Sequence, residues 1–318
     1  MLRHYCPISL SDDSDSVVRA IDLVSAQLIL LSVPLILWAG LATRGGHRAA
    51  FQISSRTLAP SGSDPQLNIL CVRGADVSGF QQAARAVSIR AEVEWVIGGK
   101  HDRRDVLDAG DVPFESVDVV RTPTSWKHKR NYEGYYWAAT TGSHVWFESL
   151  YERAALMRLD RDRRVVGLAA QPMWIHWSGG LGKHAPDFFV RYRGGGAAVV
   201  DVKPARQIDD DDAEVFGRTA ELCEQLGWDY IVISDIAPTE HRNLRFLSGY
   251  RFDRWVSVSA NTRLRDCAGD RRMLREWSVL LDGVCVEPLG AIYSALWWGL
   301  LEVDEDSPLS LSAVAEAV

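Results

Sequence analysis

Three side chains that could act on a phosphate lie close together around a glycine-rich stretch: Asp187, Asp201 and Lys203. Apolar residues on both sides of three consecutive glycines (194–196) predict two short strands joined by a tight turn. If the three glycines form the loop, Asp187 faces Lys203, and Asp201 lies on the same face as Lys203. Two carboxylates beside one ammonium leave a net negative charge. Such a site suits a hard divalent cation with oxygen ligands, Mg²⁺ with Mn²⁺ as a substitute.

The spacing of these residues follows the PD-(D/E)xK pattern of restriction-like nucleases. Pro186 precedes Asp187, and Asp201, Val202 and Lys203 follow after a step of 14 residues (201 − 187). The bare motif is weak evidence, because acid-x-Lys strings occur on many exposed strands. The stretch upstream has to be considered with it.

That upstream stretch adds a helix-forming segment from Glu148 to Arg153, an apolar strand starting at Val165, and the pair Gln171-Pro172. The order of helix, apolar strand, Gln-Pro, PDF strand and DVKP strand resembles TnsA, the endonuclease subunit of heteromeric cut-and-paste transposases, over about residues 121–234. The resemblance implies an α/β fold with a restriction-endonuclease-like mixed sheet flanked by helices. It also implies a Mg²⁺-dependent endonuclease that cuts the 5′ ends of a mobile element. Its substrate would be double-stranded DNA at transposon ends, and its partners a DDE transposase subunit and an ATPase regulator.

The resemblance also assigns roles to individual residues. Glu152, 19 residues before Gln171, joins the two hairpin acids as a third metal ligand, with Glu148 on the same helix face as the alternative. A backbone carbonyl near Val202 completes the metal site, and Lys203 positions a water or neutralises the scissile phosphate. Independently of the resemblance, the Gln171 amide could support the site by orienting a water or a phosphate, or alternatively form only a strand-end hydrogen bond beside Pro172. Without the hairpin, Glu152 would be interpreted as one member of a surface ion pair.

Charge is unevenly distributed along the 318 residues. The 35 Lys and Arg against 42 Asp and Glu give a net charge of −7, which by itself disfavours nucleic acid as a partner. Basic residues nevertheless outnumber acids six to three in 121–158 and nine to four in 241–279, whereas 206–240 holds ten acids and two arginines. DNA is therefore compatible with the sequence if the basic segments share a face.

The stretch from Arg121 to Trp146 interleaves aromatic and basic residues, among them Trp126, Lys127, Lys129 and Arg130. Basic side chains neutralise phosphates, and aromatic rings can stack on exposed bases, so these four are candidate DNA-binding residues. The alternative is an amphipathic loop that packs its rings on the core.

The N-terminal extension, residues 1–60, contains an uncharged segment at 23–43 that is long enough to span a bilayer. Pro34 and Gln27 count against a membrane helix, so a disordered extension or a start assigned too far upstream are the other interpretations. In each case we expect the remaining chain to be cytoplasmic. Residues 61–120 contain no recognisable catalytic or binding motif, and we expect them to lead into a nuclease domain at 121–238.

Local patterns predict the elements around the motif. Ser149 or Ser143 caps a helix that turns Leu150, Ala154, Leu156 and Met157 inward. Residues 165–175 form one buried strand, and 230–234 form another. Four acids at 209–212 begin a further helix as a solvated first turn rather than as metal ligands. His176 and His184 are expected at the surface or near DNA, since hard cations prefer oxygen, and Cys223 is expected in the core.

Residues 239–318 change in composition to arginine-rich helices at 241–250 and 270–281, then 288–298 and a strand-turn-strand. This order resembles a winged helix, which TnsA-like chains carry C-terminally. It would be a docking surface for partner subunits or DNA, or alternatively a helical cap on the nuclease.

Overall fold

The computed structural model describes residues 69–71, 90–121 and 132–318. The expectations for the segment at 23–43 and for Trp126, Lys127, Lys129 and Arg130 therefore lie outside the described residues. Within the described residues, none of the helices is long and apolar enough to cross a membrane.

The described chain is a mixed α/β protein with several small sheets. Its strands are β1 (Ile69–Cys71), β2 (Ala91–Ile97), β3 (Lys100–Asp105), β4 (Gly134–Ala138), β5 (Ser143–Phe147), β6 (Val165–Ala170), β7 (Trp174–Trp177), β8 (Lys183–His184), β9 (Phe188–Tyr192), β10 (Ala197–Val202), β11 (Asp229–Ile233), β12 (Arg271–Met273), β13 (Leu301–Val303) and β14 (Val314–Ala317). Its helices are α1 (Leu150–Arg161), α2 (Asp210–Leu226), α3 (Pro238–Leu247), α4 (Val258–Arg265), α5 (Leu274–Leu280) and α6 (Pro288–Trp297).

The central sheet has the strand order β1-β11-β10-β9-β6. Strands β10 and β11 are parallel and are joined by α2, because parallel neighbours need a crossover connection. The other pairs are antiparallel. Successive residues of the middle strands enter two different buried clusters: Phe188 and Val200 pack in the cluster that includes α1, and Phe189 and Val199 in the one that includes α2. Burial on both faces explains why β10 is almost continuously apolar.

The turn between β9 and β10 begins one residue earlier than the sequence suggests. The Tyr192 N–H donates to the Gly196 carbonyl at 2.8 Å, so the loop consists of residues 193–195. Gly194 and Gly195 have φ angles of +96° and +98°, which residues with a β-carbon rarely adopt. Gly196 instead accepts from Tyr192 and directly precedes β10.

This turn changes the register of the hairpin. Phe188 pairs with Val200, which places Asp187 opposite Asp201 at the end of the ladder. The expectation that Asp187 faces Lys203 is therefore wrong by two residues. A shift of two keeps every side chain on its own face, so the two acids still belong to one end of the hairpin.

The strand expected at 165–175 is divided in two. β6 ends at Ala170 and belongs to the central sheet, whereas β7 begins at Trp174 and pairs with β2 in a sheet of order β3-β2-β7-β8. Between them Gln171 has a φ of +42°, unusual for a residue with a side chain. Pro172 has no N–H to continue the ladder, so the chain turns here.

Helix α1 begins as the capping pattern predicts, with Ser149 rather than Ser143 as its N-cap. The Ser149 hydroxyl accepts the N–H of Glu152 at 3.2 Å. The expectation that Leu150 turns inward is wrong: it is 49% exposed because it lies in the first turn, beside a groove. Three of the expected inward residues are buried: Ala154, Leu156 and Met157.

After α3, the elements follow the order α4-β12-α5-α6-β13-β14, and the three strands form a sheet of order β12-β14-β13. The helix expected at 270–281 starts instead as β12, because Arg271 to Met273 pairs with β14. The buried cluster that contains α1 continues into α5 and α6 through Trp277 and Ile292. The C-terminal elements therefore share a core with the central sheet.

Candidate active site

Asp201 lies near the end of β10 and is buried, with 3% of its surface exposed. Its carboxylate accepts the Tyr230 hydroxyl of β11 at 2.5 Å, and His184 Nε2 of β8 lies 3.0 and 3.1 Å from its two oxygens. The Asp187 N–H is a longer donor at 3.4 Å. Groups from β8, from β11 and from the residue before β9 therefore fix the orientation of this carboxylate.

Asp187 faces Asp201 across the end of the hairpin. Its Oδ2 accepts the N–H of Val202 at 2.8 Å. Burial raises the pKa of Asp187 well above its usual range, the charges of Asp201 and Glu152 raise it further, and the Val202 N–H and Arg121 oppose the shift. The negative charges of Asp201 and Glu152 thus both act on Asp187, and a bound cation would relieve this repulsion.

Glu152 is directed toward the start of its own helix. One oxygen accepts the Glu148 N–H at 2.7 Å and the other accepts the Ser149 hydroxyl at 2.8 Å. Burial raises the pKa of Glu152, while the hydrogen bonds from Glu148 and Ser149 lower it. Glu152 therefore influences Asp187 electrostatically, while its own hydrogen bonds are used to cap α1.

Glu148, the alternative ligand, is held by two other residues. Its Oε1 accepts the Gln171 amide at 2.8 Å, and its Oε2 forms an ion pair with Arg121. The Gln171 N–H also donates to the Asp187 carbonyl at 2.8 Å. Within the described residues, the buried Gln171 Oε1 has no hydrogen-bond partner. Glu148 lies before the N-cap Ser149 and outside α1, so the expectation that it shares a helix face with Glu152 is wrong. Gln171 thus links Glu148 to the backbone of Asp187.

Lys203 does not contact either hairpin acid. Its ammonium forms an ion pair with Asp212, in the first turn of α2. Burial raises the pKa of Asp212, but the hydrogen bonds from Lys203 and from the Asp209 N–H outweigh it and lower the pKa overall. Asp212 also closes a capping box with Asp209, so it is more than a solvated charge. The sequence offered one signal for this contact: Pro204 ends the strand only a few residues before α2.

The donor chemistry of the cluster suits a divalent cation, since it consists of carboxylate oxygens. In residues 90–121 and 132–318, however, no set of three or more His, Cys, Asp or Glu side chains is arranged to hold a metal ion. The structure brings Asp187 and Asp201 together and leaves Glu152 turned to its helix cap. A rotation of the Glu152 side chain would be needed for it to become a third ligand.

The sequence did not identify His184 and Tyr230 as neighbours of Asp201. His184, expected at the surface or near DNA, has a side chain that is 19% exposed. It is brought to the site by the two-residue strand β8, where it pairs with Ile175, and so short a strand has no periodicity to detect. His176 instead contacts Glu94 at 2.8 Å and lowers the pKa of Glu94. Cys223 is buried, as expected.

Comparison with protein-family models and with curated proteins finds no match to this chain. Neither a family nor a relative therefore assigns a role to Asp187 or its neighbours. Function is inferred from the residues of the cluster and from their geometry.

Proposed function

We propose that the protein is a Mg²⁺-dependent DNA endonuclease of the PD-(D/E)xK type. In the form favoured by the resemblance to TnsA, it cuts the 5′ ends of a mobile element together with a separate transposase. One observation carries the proposal: Asp187 and Asp201 face each other at the end of the central hairpin, with the charge of Glu152 acting on Asp187. A buried acid such as Asp187, whose pKa is strongly raised by burial and by neighbouring charges, is typical of functional sites.

The order of elements supports a restriction-endonuclease-like core. One helix, α1, precedes three antiparallel strands, β6, β9 and β10, and α2 then crosses to β11, which is parallel to β10. In this arrangement the motif acids lie on two adjacent central strands, and Glu152 lies on the first helix. A small open sheet of this kind places catalytic side chains at strand ends.

The C-terminal elements support a winged-helix-like unit, since three helices, α4, α5 and α6, accompany a three-stranded sheet of order β12-β14-β13. The last of its helices, α6, contains no charged residue, and seven of its ten residues are buried. A helix that reads a DNA groove needs exposed polar side chains. This unit is therefore better suited to support the nuclease or to dock a protein partner than to read bases through α6.

Each residue of the cluster has a role in the proposed reaction. Asp187, Asp201 and Glu152, with the Val202 carbonyl, would hold Mg²⁺, which when bound lowers the pKa of a water and stabilises charge in the transition state. The other contacts of the cluster act on these ligands. His184 and Tyr230 fix the orientation of Asp201.

Lys203 has a separate role in the proposal. Once released from Asp212, its ammonium would position the attacking water or neutralise the scissile phosphate. Its location one residue after Val202 puts it at the same end of β10 as the acids.

A plasmid-nicking assay tests the proposal. We expect wild-type protein to nick DNA with Mg²⁺ or Mn²⁺, and Asp187→Ala to reduce the rate by at least about 10³-fold, since a metal site supplies several kcal/mol of transition-state stabilisation. Asp210→Asn, which removes an exposed acid of α2, serves as the control and should leave the rate unchanged. Equal nicking by wild type and Asp187→Ala, or none by wild type even with partner subunits, would refute catalysis.

A non-catalytic DNA-binding or assembly protein is the second candidate. It is favoured by the ion pair of Lys203 with Asp212 and by the capping role of Glu152, which leave only two acids in contact. This candidate predicts DNA binding that Asp187→Ala does not change and no cutting under any metal condition. A stand-alone restriction or repair nuclease would use the same residues as the TnsA-like form. Neighbouring transposase and ATPase reading frames in the genome would favour transposition.

A further inference from the structure

A small groove lies between α1 and α3. It has a volume of about 220 Å³ and is lined by Leu150, Arg153, Met157, His241 and Arg245. Leu150 and Met157 provide an apolar surface, and the three basic residues are exposed. A groove with an apolar floor and a basic rim is complementary to a strand of nucleic acid, which presents deoxyribose and phosphate side by side.

The basic side chains of this groove are not used by the fold. In the described part of the chain, neither Arg153, His241 nor Arg245 forms a hydrogen bond or ion pair through its side chain. Two other arginines of α1 provide the contrast: Arg158 is paired with Glu240 at 2.5 Å, and Arg161 is paired with Glu305. The arginines at the C-terminal end of α1 thus connect it to the rest of the protein, whereas Arg153 keeps its charge available.

The position of the groove relates it to the acid cluster. Arg153 directly follows Glu152 in α1, and consecutive Cα atoms are only about 3.8 Å apart. Glu152 and the groove residue Arg153 thus share the first turn of α1, and a DNA strand bound at the cluster presents further phosphates on either side of the scissile one. Arginine is well suited to bind them, because its planar guanidinium forms two parallel hydrogen bonds to phosphate.

We propose that the α1–α3 groove binds the phosphodiester backbone of DNA next to the cut site, through Arg153 and Arg245 with His241 beside them. The proposal rests on the proposed nuclease function and adds to it the path of the bound strand. Contacts of this kind position the duplex without reading its sequence. The groove is therefore expected to bind DNA of any sequence equally.

The salt dependence of binding tests the groove. Fluorescence anisotropy with a short labelled duplex, in EDTA and between about 50 and 200 mM NaCl, measures affinity without cutting. We expect the double variant Arg153→Gln/Arg245→Gln to reduce the slope of log K against log [NaCl] by about 2, because each phosphate contact contributes about 0.9. The matched control is Arg90→Gln/Arg193→Gln, which removes two exposed arginines outside both basic segments that have no side-chain partner in the described residues.

The control should keep the wild-type slope. Three results would overturn the groove proposal: an unchanged slope in the groove variant, an equal decrease of the slope in the control, or no DNA binding by the wild type. Because all four substituted residues are exposed, the free energy of unfolding of both variants should lie within about 0.5 kcal/mol of the wild-type value.

A nicking assay separates this proposal from the nuclease proposal. If wild type cuts with Mg²⁺ but the groove variant keeps the slope, only the groove fails; if the slope falls but wild type does not cut, only the nuclease fails.

Discussion

Two regions of the molecule hold buried carboxylates in opposite ways. Asp160, at the end of α1, is 2% exposed and accepts hydrogen bonds from the Tyr136 hydroxyl (2.8 Å) and from the N–H groups of Ala139 (3.1 Å) and Thr140 (2.8 Å). Asp187 accepts one N–H and faces Asp201. The first arrangement satisfies a buried acid with donors, whereas the second sets acids against each other. The difference distinguishes an acid that stabilises the fold from acids that are available for chemistry.

The largest effect expected from this comparison concerns Asp160. Asp160→Ala leaves a hydroxyl and two N–H groups without their acceptor in a buried position. We expect it to reduce the free energy of unfolding by about 3 kcal/mol or more. Thermal or urea denaturation measures the loss, which corresponds to at least about 6 °C in the unfolding midpoint. Asp266→Ala, at an exposed site of α4, is the control and should change stability by less than about 0.5 kcal/mol. Similar stabilities of the two variants would remove the basis of the comparison.

The substitution Asp187→Asn should increase the free energy of unfolding, whereas Asp160→Ala decreases it. The raised pKa means that folded Asp187 holds its proton to a higher pH than unfolded Asp187, so its contribution to stability falls as pH rises from the unfolded toward the folded pKa. Asparagine does not ionise, and its oxygen can still accept the Val202 N–H. We therefore expect Asp187→Asn to have a free energy of unfolding about 1 kcal/mol higher than that of wild type in EDTA at neutral pH. At a pH below the pKa of Asp187 in the unfolded chain, we expect no difference.

Denaturation of wild type and Asp187→Asn across this pH range measures the gain. Asp160→Asn, examined in the same buffers, should lose stability because it removes an acceptor from a fully used carboxylate. Added Mg²⁺ should raise the unfolding midpoint of wild type and not that of Asp187→Asn, because only a ligand that binds the folded state stabilises it. A lower stability of Asp187→Asn at every pH would contradict the repulsion inferred here.

The smallest expected effect concerns Asp212, which neutralises the ammonium nearest to the cluster. Asp212→Asn keeps an oxygen for the Asp209 N–H but removes the charge that holds Lys203. The released ammonium would compete with Mg²⁺ for the hairpin acids. We expect the Mg²⁺ concentration for half-maximal nicking to rise about fivefold, equivalent to about 1 kcal/mol. Asp210→Asn removes the same charge from the same turn without touching Lys203, and an equal rise in that variant would contradict the competition.

Local features of the fold were predictable from the sequence. The glycine-centred hairpin, the Ser149 cap of α1 and the acidic start of α2 are all confirmed, because each depends on residues within a few positions of one another. The hairpin register was not predictable from the sequence, since it depends on whether Arg193 or Gly196 belongs to the three-residue loop. Both loops are compatible with the composition, and the pairing of Tyr192 with Gly196 decides between them.

The site was predictable only in part, for a related reason. Asp187 and Asp201 could be identified from motif spacing, since both belong to one hairpin. The partners of the other site residues come from distant segments: Lys203 pairs with Asp212 in the next helix, and His184 reaches Asp201 from a two-residue strand. Such contacts depend on how elements pack, which spacing along the chain does not encode. The strand β12 was mistaken for helix in the same way, because its partner β14 lies at the end of the chain.

The turn at Gln171 connects three segments of the chain through hydrogen bonds. Its N–H holds the backbone of Asp187 at 2.8 Å, its carbonyl accepts the N–H of Val120 at 3.0 Å, and its side chain holds Glu148 at 2.8 Å. A displacement of the chain before Val120 would therefore shift a hairpin acid and the start of α1 together.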